Sequence, residues 1–156
     1  MSGCRGSASS VSEASVTRYF SVAEANAMIK RLELAFGRML QMKAQVREVY
    51  TRLEETGFAP VGDDFDTSPP GAGSGTINDL TTLKMLIDAL KADVNALNDA
   101  GCMIKDIDEG IVDWRASRGG SDVLLCWKLG EKEVGYWHDP EAGFAGRRPI
   151  SELYED

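Results

Sequence analysis

Apolar residues recur at alternating steps of three and four along two long stretches of this chain, and that spacing narrows the fold more than any other feature. The first seam runs Val22, Ala25, Ile29, Leu32, Phe36, Met39, Val46, Tyr50 and Leu53, with the charged Lys43 interrupting it once. Such steps place all of these residues on one face of an α-helix, and here they persist for more than four heptads. At 1.5 Å per residue, a helix of about 35 residues is a rod of roughly 50 Å. The second seam runs Leu80, Leu83, Ile87, Leu90, Val94 and Leu97. Two apolar seams joined by one connection predict a long antiparallel helical hairpin of coiled-coil character.

The punctuation agrees. Ser21 followed by Glu24 is a capping box at the first helix start. Gly57 and Gly101 stand where helices end in the left-handed conformation, and Thr76 or Asn78 is placed to cap the second helix. Between Arg18 and Leu53 there are seven basic residues and three acids, whereas Glu54 to Asp113 holds thirteen acids against three lysines. Opposite charges on the two flanks favour one pairing direction.

The remaining segments read differently. Residues 1–18 form a polar, Ser-rich leader with no apolar core of a secretory signal, read as disordered. Residues 58–75 hold Asp63, Asp64, Asp66, two consecutive prolines and several glycines, the composition of a flexible linker. The acid spacing does not match an EF-hand loop. Beyond Gly101 come short strand candidates at Cys102–Ile107, Ile111–Arg115, Val123–Trp127 and Val134–His138, separated by short turns. They predict a three- to four-stranded antiparallel meander. The fold class is therefore α+β, a single domain over 19–150 followed by an acidic tail at 151–156.

A chain of 156 residues buries enough surface to fold without disulfides or structural metal. Its formal charge of −8 argues against a partner bound through phosphate neutralisation or an anionic membrane. Cys4, Cys102 and Cys126 are an odd, widely spaced set, which suits free thiols and a cytoplasmic location. An organelle matrix after leader removal is the weaker alternative.

Several motifs resemble a known group. YFSVAEANAMI at Tyr19–Ile29, GIVDW at Gly110–Trp114, LLCWKLGE at Leu124–Glu131 and GYWHDPEAGFAGRRPI at Gly135–Ile150 look like the signatures of a mainly bacterial family, domain of unknown function 2203. Trp114 stands where that family usually shows Phe, and the long linker resembles an insertion. The resemblance implies a helical hairpin with a small sheet and supplies no activity.

Chemistry concentrates near the C-terminus. His138 is the single histidine, and it enters a loop with Asp139, Glu141, Gly143 and Gly146. A metal set of His138, Asp139 and Glu141, completed by Asp113 or Glu133, suits zinc or iron. One histidine with no HxH or HxxxH partner favours instead a side chain that holds the loop by hydrogen bonds to the backbone or to Asp113. No cofactor is read from the sequence, and a divalent metal is the lesser reading. Arg147 and Arg148, beside a glycine-rich turn, suit a carboxylate or phosphate, or pin the tail through ion pairs. Asn26 lies in the first helix without a capping role and is read as a hydrogen-bonding or ligand-lining residue. Cys126 paired with His138 would make a nucleophilic dyad, but an apolar strand disfavours the thiolate, and Cys102 and Cys126 read as small buried hydrophobes. Trp114, Trp127, Trp137, Tyr136 and Phe144 are core aromatics with one face left for a partner or ligand. The leading expectation is a non-enzymatic interaction or assembly module that binds a protein partner or self-associates through the hairpin, with no nucleic acid and no membrane. The alternative is a small ligand-binding protein or metal-dependent enzyme with its site at Asp113, His138, Asp139 and Arg147.

Overall fold

The computed structural model describes residues 18–154, so residues 1–17 of the leader and the last two residues of the acidic tail lie outside the described residues. The chain divides into two compact units, one of residues 18–31 and 97–154 and one of residues 32–96. The elements are α1 (Val22–Asn26), α2 (Ile29–Thr56), α3 (Ser74–Asp99), β1 (Met103–Asp106), β2 (Ile111–Arg118), β3 (Ser121–Lys128), β4 (Tyr136–His138) and β5 (Arg148–Pro149). No helix among the described residues is long and apolar enough to cross a membrane.

In the unit of residues 32–96, Arg38 meets Asp93 at 3.0 Å and Arg52 meets Asp79 at 3.0 Å. These pairs join α2 to α3. Val49, Leu53, Leu80 and Leu83 form a buried cluster at the loop end. Phe58, Ala59 and Phe65 of the connection pack against it. The Tyr50 hydroxyl donates to the Pro60 carbonyl at 3.0 Å, and Lys91 pairs with Asp63. That ammonium holds the Asp63 carboxyl below its usual range. Mid-seam residues Val46, Ile87, Leu90 and Val94 are only half-buried.

The first helix is not continuous. Ala27 and Met28 form a turn between α1 and α2, with the Met28 N–H bonded to the Ala25 carbonyl at 3.0 Å. The heptad pattern runs unbroken through this point, so spacing alone cannot reveal the break. The local cause is Asn26, a poor helix former, whose side-chain oxygen accepts from the Val134 N–H at 2.6 Å. The capping box at Ser21 and Glu24 is formed in full.

The other unit holds a five-stranded antiparallel sheet in the order β1-β2-β3-β4-β5. The expected three or four strands are thus exceeded by one. β5 is two residues long and includes Pro149, so it has no alternation to read, and a proline is tolerated only because the strand lies at the sheet edge. The last predicted strand starts later than expected, at Tyr136, because the Val134 N–H is taken by Asn26. Gly101, with φ 101°, ends α3. A Cβ there would lie 2.5 Å from the Phe20 ring, so no other residue fits without displacing it.

Alternation along β2, β3 and β4 sorts the side chains onto two faces. Val112, Trp114, Ala116, Val123, Leu125, Trp127 and Trp137 share one face and are all buried. Asp113, Cys126, Tyr136 and His138 share the other.

Candidate functional site

The site begins with a turn. Gly119 and Gly120 both have positive φ, 57° and 85°, the backbone of a two-residue hairpin turn whose twist matches the strands it joins. It seats Arg118 opposite Ser121, and the ladder then places Asp113 directly opposite Cys126. β4 continues on the far side of β3, with Cys126 opposite Tyr136 and Leu124 opposite His138. Asp113 and His138 therefore flank β3 on one face. Each is only 2% exposed, and Cys126 is fully buried.

The His138 Nε2 lies 3.0 Å from Asp113 Oδ2, and Nδ1 lies 2.8 Å from the Asp139 carbonyl oxygen. A carbonyl only accepts, so Nδ1 carries a hydrogen and donates it. The remaining nitrogen faces a carboxylate oxygen, another acceptor, so one proton must be shared between Nε2 and Oδ2. The second carboxylate oxygen, Asp113 Oδ1, is buried with no hydrogen-bond partner among the described residues. A buried acceptor left in this way costs about 1–3 kcal/mol.

One ligand atom each from Asp113, Cys126 and His138 lies within 4.8 Å of the others. Burial and the Asp113 carboxylate push the Cys126 thiol up to about 12, against a smaller opposing effect of Arg147. A thiol so held is a poor nucleophile at neutral pH, which counts against the Cys126–His138 dyad.

A cavity of about 240 Å³ opens beside this group, lined by Lys105, Asp106, Ile111, Asp113, His138 and Phe144, with Pro140 and Gly143 completing the wall. The wall on one side is the loop that follows β4. Its position is fixed by Arg147, which ion-pairs with Glu131 at 3.0 Å and lies 4.0 Å from the ring centres of both Tyr136 and Phe144.

The structure brings together Asp113 and His138, and it places Arg147 at the edge of the same group. Arg148 lies apart from them, bonded to Glu152 at 3.1 Å and set over the Trp137 ring, on the tryptophan side of the sheet. Asn26 serves the Val134 backbone. Asp139 contributes its backbone carbonyl, and the side chains of Asp139 and Glu141 are exposed. Cys126 is the member that sequence reasoning assigned to the core. The Gly119–Gly120 turn was the signal that could have found it, because counting back from that turn sets Cys126 across from Asp113.

The fold and the site together define a small α+β protein with a pocket on one sheet face, walled partly by apolar residues and holding the Asp113–His138 pair. The chain belongs to the family described as "Uncharacterized conserved protein (DUF2203)", whose pattern matches residues 18–150. No curated protein and no solved structure matches it. The motifs GIVDW, LLCWKLGE and GYWHDPEAGFAGRRPI lie in the segments that supply Asp113, Cys126 and His138.

Proposed function

We propose that the protein binds a small ligand bearing a positive charge or a hydrogen-bond donor, in the cavity of the sheet unit beside Asp113 and His138. The observation that carries this reading is Asp113 Oδ1, a carboxylate oxygen buried at the wall of a cavity with no hydrogen-bond partner among the described residues. Buried acceptors are nearly always satisfied, and a donor or cation in the cavity supplies what the chain does not. At about 30 Å³ per water, the space suits an ion or a small organic molecule rather than a polymer. Thermal unfolding of the full chain against a panel of primary amines, guanidines and divalent cations tests the idea. At least one class raises the melting temperature, and Asp113→Asn removes the rise. A panel without any such shift refutes the reading.

A second reading assigns the helical unit an assembly role, as a long coiled-coil-like hairpin that takes a protein partner or a second copy. Leu34 and Met85, each 67% exposed, favour it. A strictly monomeric chain in the same preparations removes self-association from that reading.

A further inference from the structure

We infer that the pocket is a mononuclear site for a divalent transition metal ion of the zinc class, held by a carboxylate oxygen of Asp113, Sγ of Cys126 and Nε2 of His138. The inference rests on the ligand-binding reading above and gives that ligand an identity.

Four observations converge. The first is the donor set itself: nitrogen, sulfur and oxygen atoms within 4.8 Å of one another, from three adjacent strands of one sheet. In a tetrahedral zinc site, bond lengths of about 2.0–2.3 Å put ligand atoms about 3.5 Å apart. Nε2 and Oδ2, now 3.0 Å apart, need to open by about half an ångström, and the sulfur already lies within 4.8 Å of both.

The second is the imidazole tautomer. Nδ1 donates to the Asp139 carbonyl, which leaves Nε2 as the nitrogen that can bind a metal once the proton it shares with Asp113 is released. Metal-ligating histidines are oriented in this way, by a hydrogen bond from the other ring nitrogen to a backbone carbonyl or carboxylate.

The third is charge. Without metal, the Asp113–His138 pair shares one proton and the Cys126 thiol keeps its own, so the buried group is neutral. A divalent ion replaces both protons: the thiol S–H breaks, the shared proton leaves, and metal bonds form to sulfur, oxygen and nitrogen. Two protons pass to solvent, and the site is again neutral. A monovalent ion would leave a net charge in a place that solvates charge poorly.

The fourth is the open side. Three protein ligands leave a fourth position, and Asp113 and His138 also line the cavity of about 240 Å³. Structural zinc sites are closed by four protein ligands, whereas three ligands with access to a cavity leave room for a water or a small ligand on the metal.

The test uses the full chain, stripped with chelator and titrated with Co²⁺ and then Zn²⁺. One Co²⁺ binds per chain, with tetrahedral d–d absorption and a thiolate-to-metal charge-transfer band, and one Zn²⁺ displaces it. Cys126→Ala loses the charge-transfer band, and His138→Ala loses at least a hundredfold in affinity. The wild-type spectrum decides the matter even if a variant does not fold. Co²⁺ that binds without a thiolate band, or that binds equally to Cys126→Ala and His138→Ala, overturns the assignment, since exposed acids then hold the ion. Absence of any Co²⁺ or Zn²⁺ binding also overturns it. In that case a retained thermal shift with amines or guanidines leaves the pocket reading standing, and loss of both defeats both.

Discussion

The two faces of the sheet are built by the same strands and solve burial in opposite ways. Trp114, Trp127 and Trp137 are each adjacent in sequence to a residue of the pocket: Asp113, Cys126 and His138. Alternation sends the indoles to one face and these neighbours to the other. On the tryptophan face, the Trp127 Nε1–H donates to the Glu131 carbonyl at 2.9 Å and that of Trp137 donates to the Pro149 carbonyl at 3.1 Å. The Trp114 Nε1 has no such oxygen and lies against the Cys102 sulfur. That face behaves as ordinary core. The pocket face is equally buried at Asp113, Cys126 and His138, yet it holds ionisable groups and an unpartnered carboxylate oxygen. Each face holds one buried polar atom with no hydrogen-bond partner among the described residues, so neither burial nor polar satisfaction distinguishes the faces; the buried ionisable groups Asp113, Cys126 and His138 do.

The largest expected effect breaks the contrast at its centre. Trp137→Ala removes a fully buried indole and destabilises the protein by about 3–5 kcal/mol. On the opposite face, His138→Leu strands a buried carboxylate and costs about 3 kcal/mol. The double variant Asp113→Leu with His138→Leu removes both polar partners and recovers most of that loss, because a buried pair rarely outperforms apolar packing. Urea unfolding of the metal-free proteins measures all three. A double variant as unstable as the single one would make the pair a structural device and erase the difference between the faces.

Most of the fold was legible, and the site was legible in pieces. The α+β class and four of the strands follow from heptad spacing, glycine punctuation and period-two alternation, all local signals. The turn at Ala27–Met28 and the strand at Arg148–Pro149 were not legible, because each depends on a distant partner: Val134 for Asn26, and β4 for the two-residue β5. Asp113, His138 and Arg147 were picked out by residue type. Their neighbour Cys126 was weighed only as a dyad with His138 and read as core, since an apolar run such as Val123–Trp127 does not show which of its residues lie beside a pocket. Asp139 and Glu141 stand beside His138 in sequence, but their exposed side chains lie outside the buried cluster of His138 Nε2, Asp113 and Cys126. Adjacency along a loop is a weaker guide than register across a sheet.

A smaller effect sharpens the contrast through pH. Burial raises the Cys126 thiol from an ordinary 9.0 to about 12. Between those values the unfolded chain gives up the proton while the folded chain keeps it, so stability is full below 9 and declines as pH rises through this window. Cys102, raised by burial in the other core, adds to the decline. Urea midpoints compared at about pH 8 and about pH 10.5 are expected to fall in the wild type and to fall less in Cys126→Ala. An identical drop in both would show that the thiol ionises as freely in the fold as out of it, and that the pocket face admits charge easily.

The smallest effect compares two consecutive arginines. Arg147 is 15% exposed, ion-paired with Glu131 and stacked on two rings of the pocket face, whereas Arg148 is 47% exposed and meets Trp137 and Glu152 at the surface of the other. Lysine preserves charge at either position but loses the planar stack and the fork of donors. Arg147→Lys is expected to cost about 1 kcal/mol, and Arg148→Lys less than about 0.5 kcal/mol. Proteolysis within residues 139–147 should accelerate in the first variant alone, because that loop forms a wall of the cavity and Arg147 is what ties it to the sheet. If both variants are equally stable and equally resistant, the wall holds itself, and the pocket owes its shape to Phe144 and Pro140 rather than to the arginine beneath them.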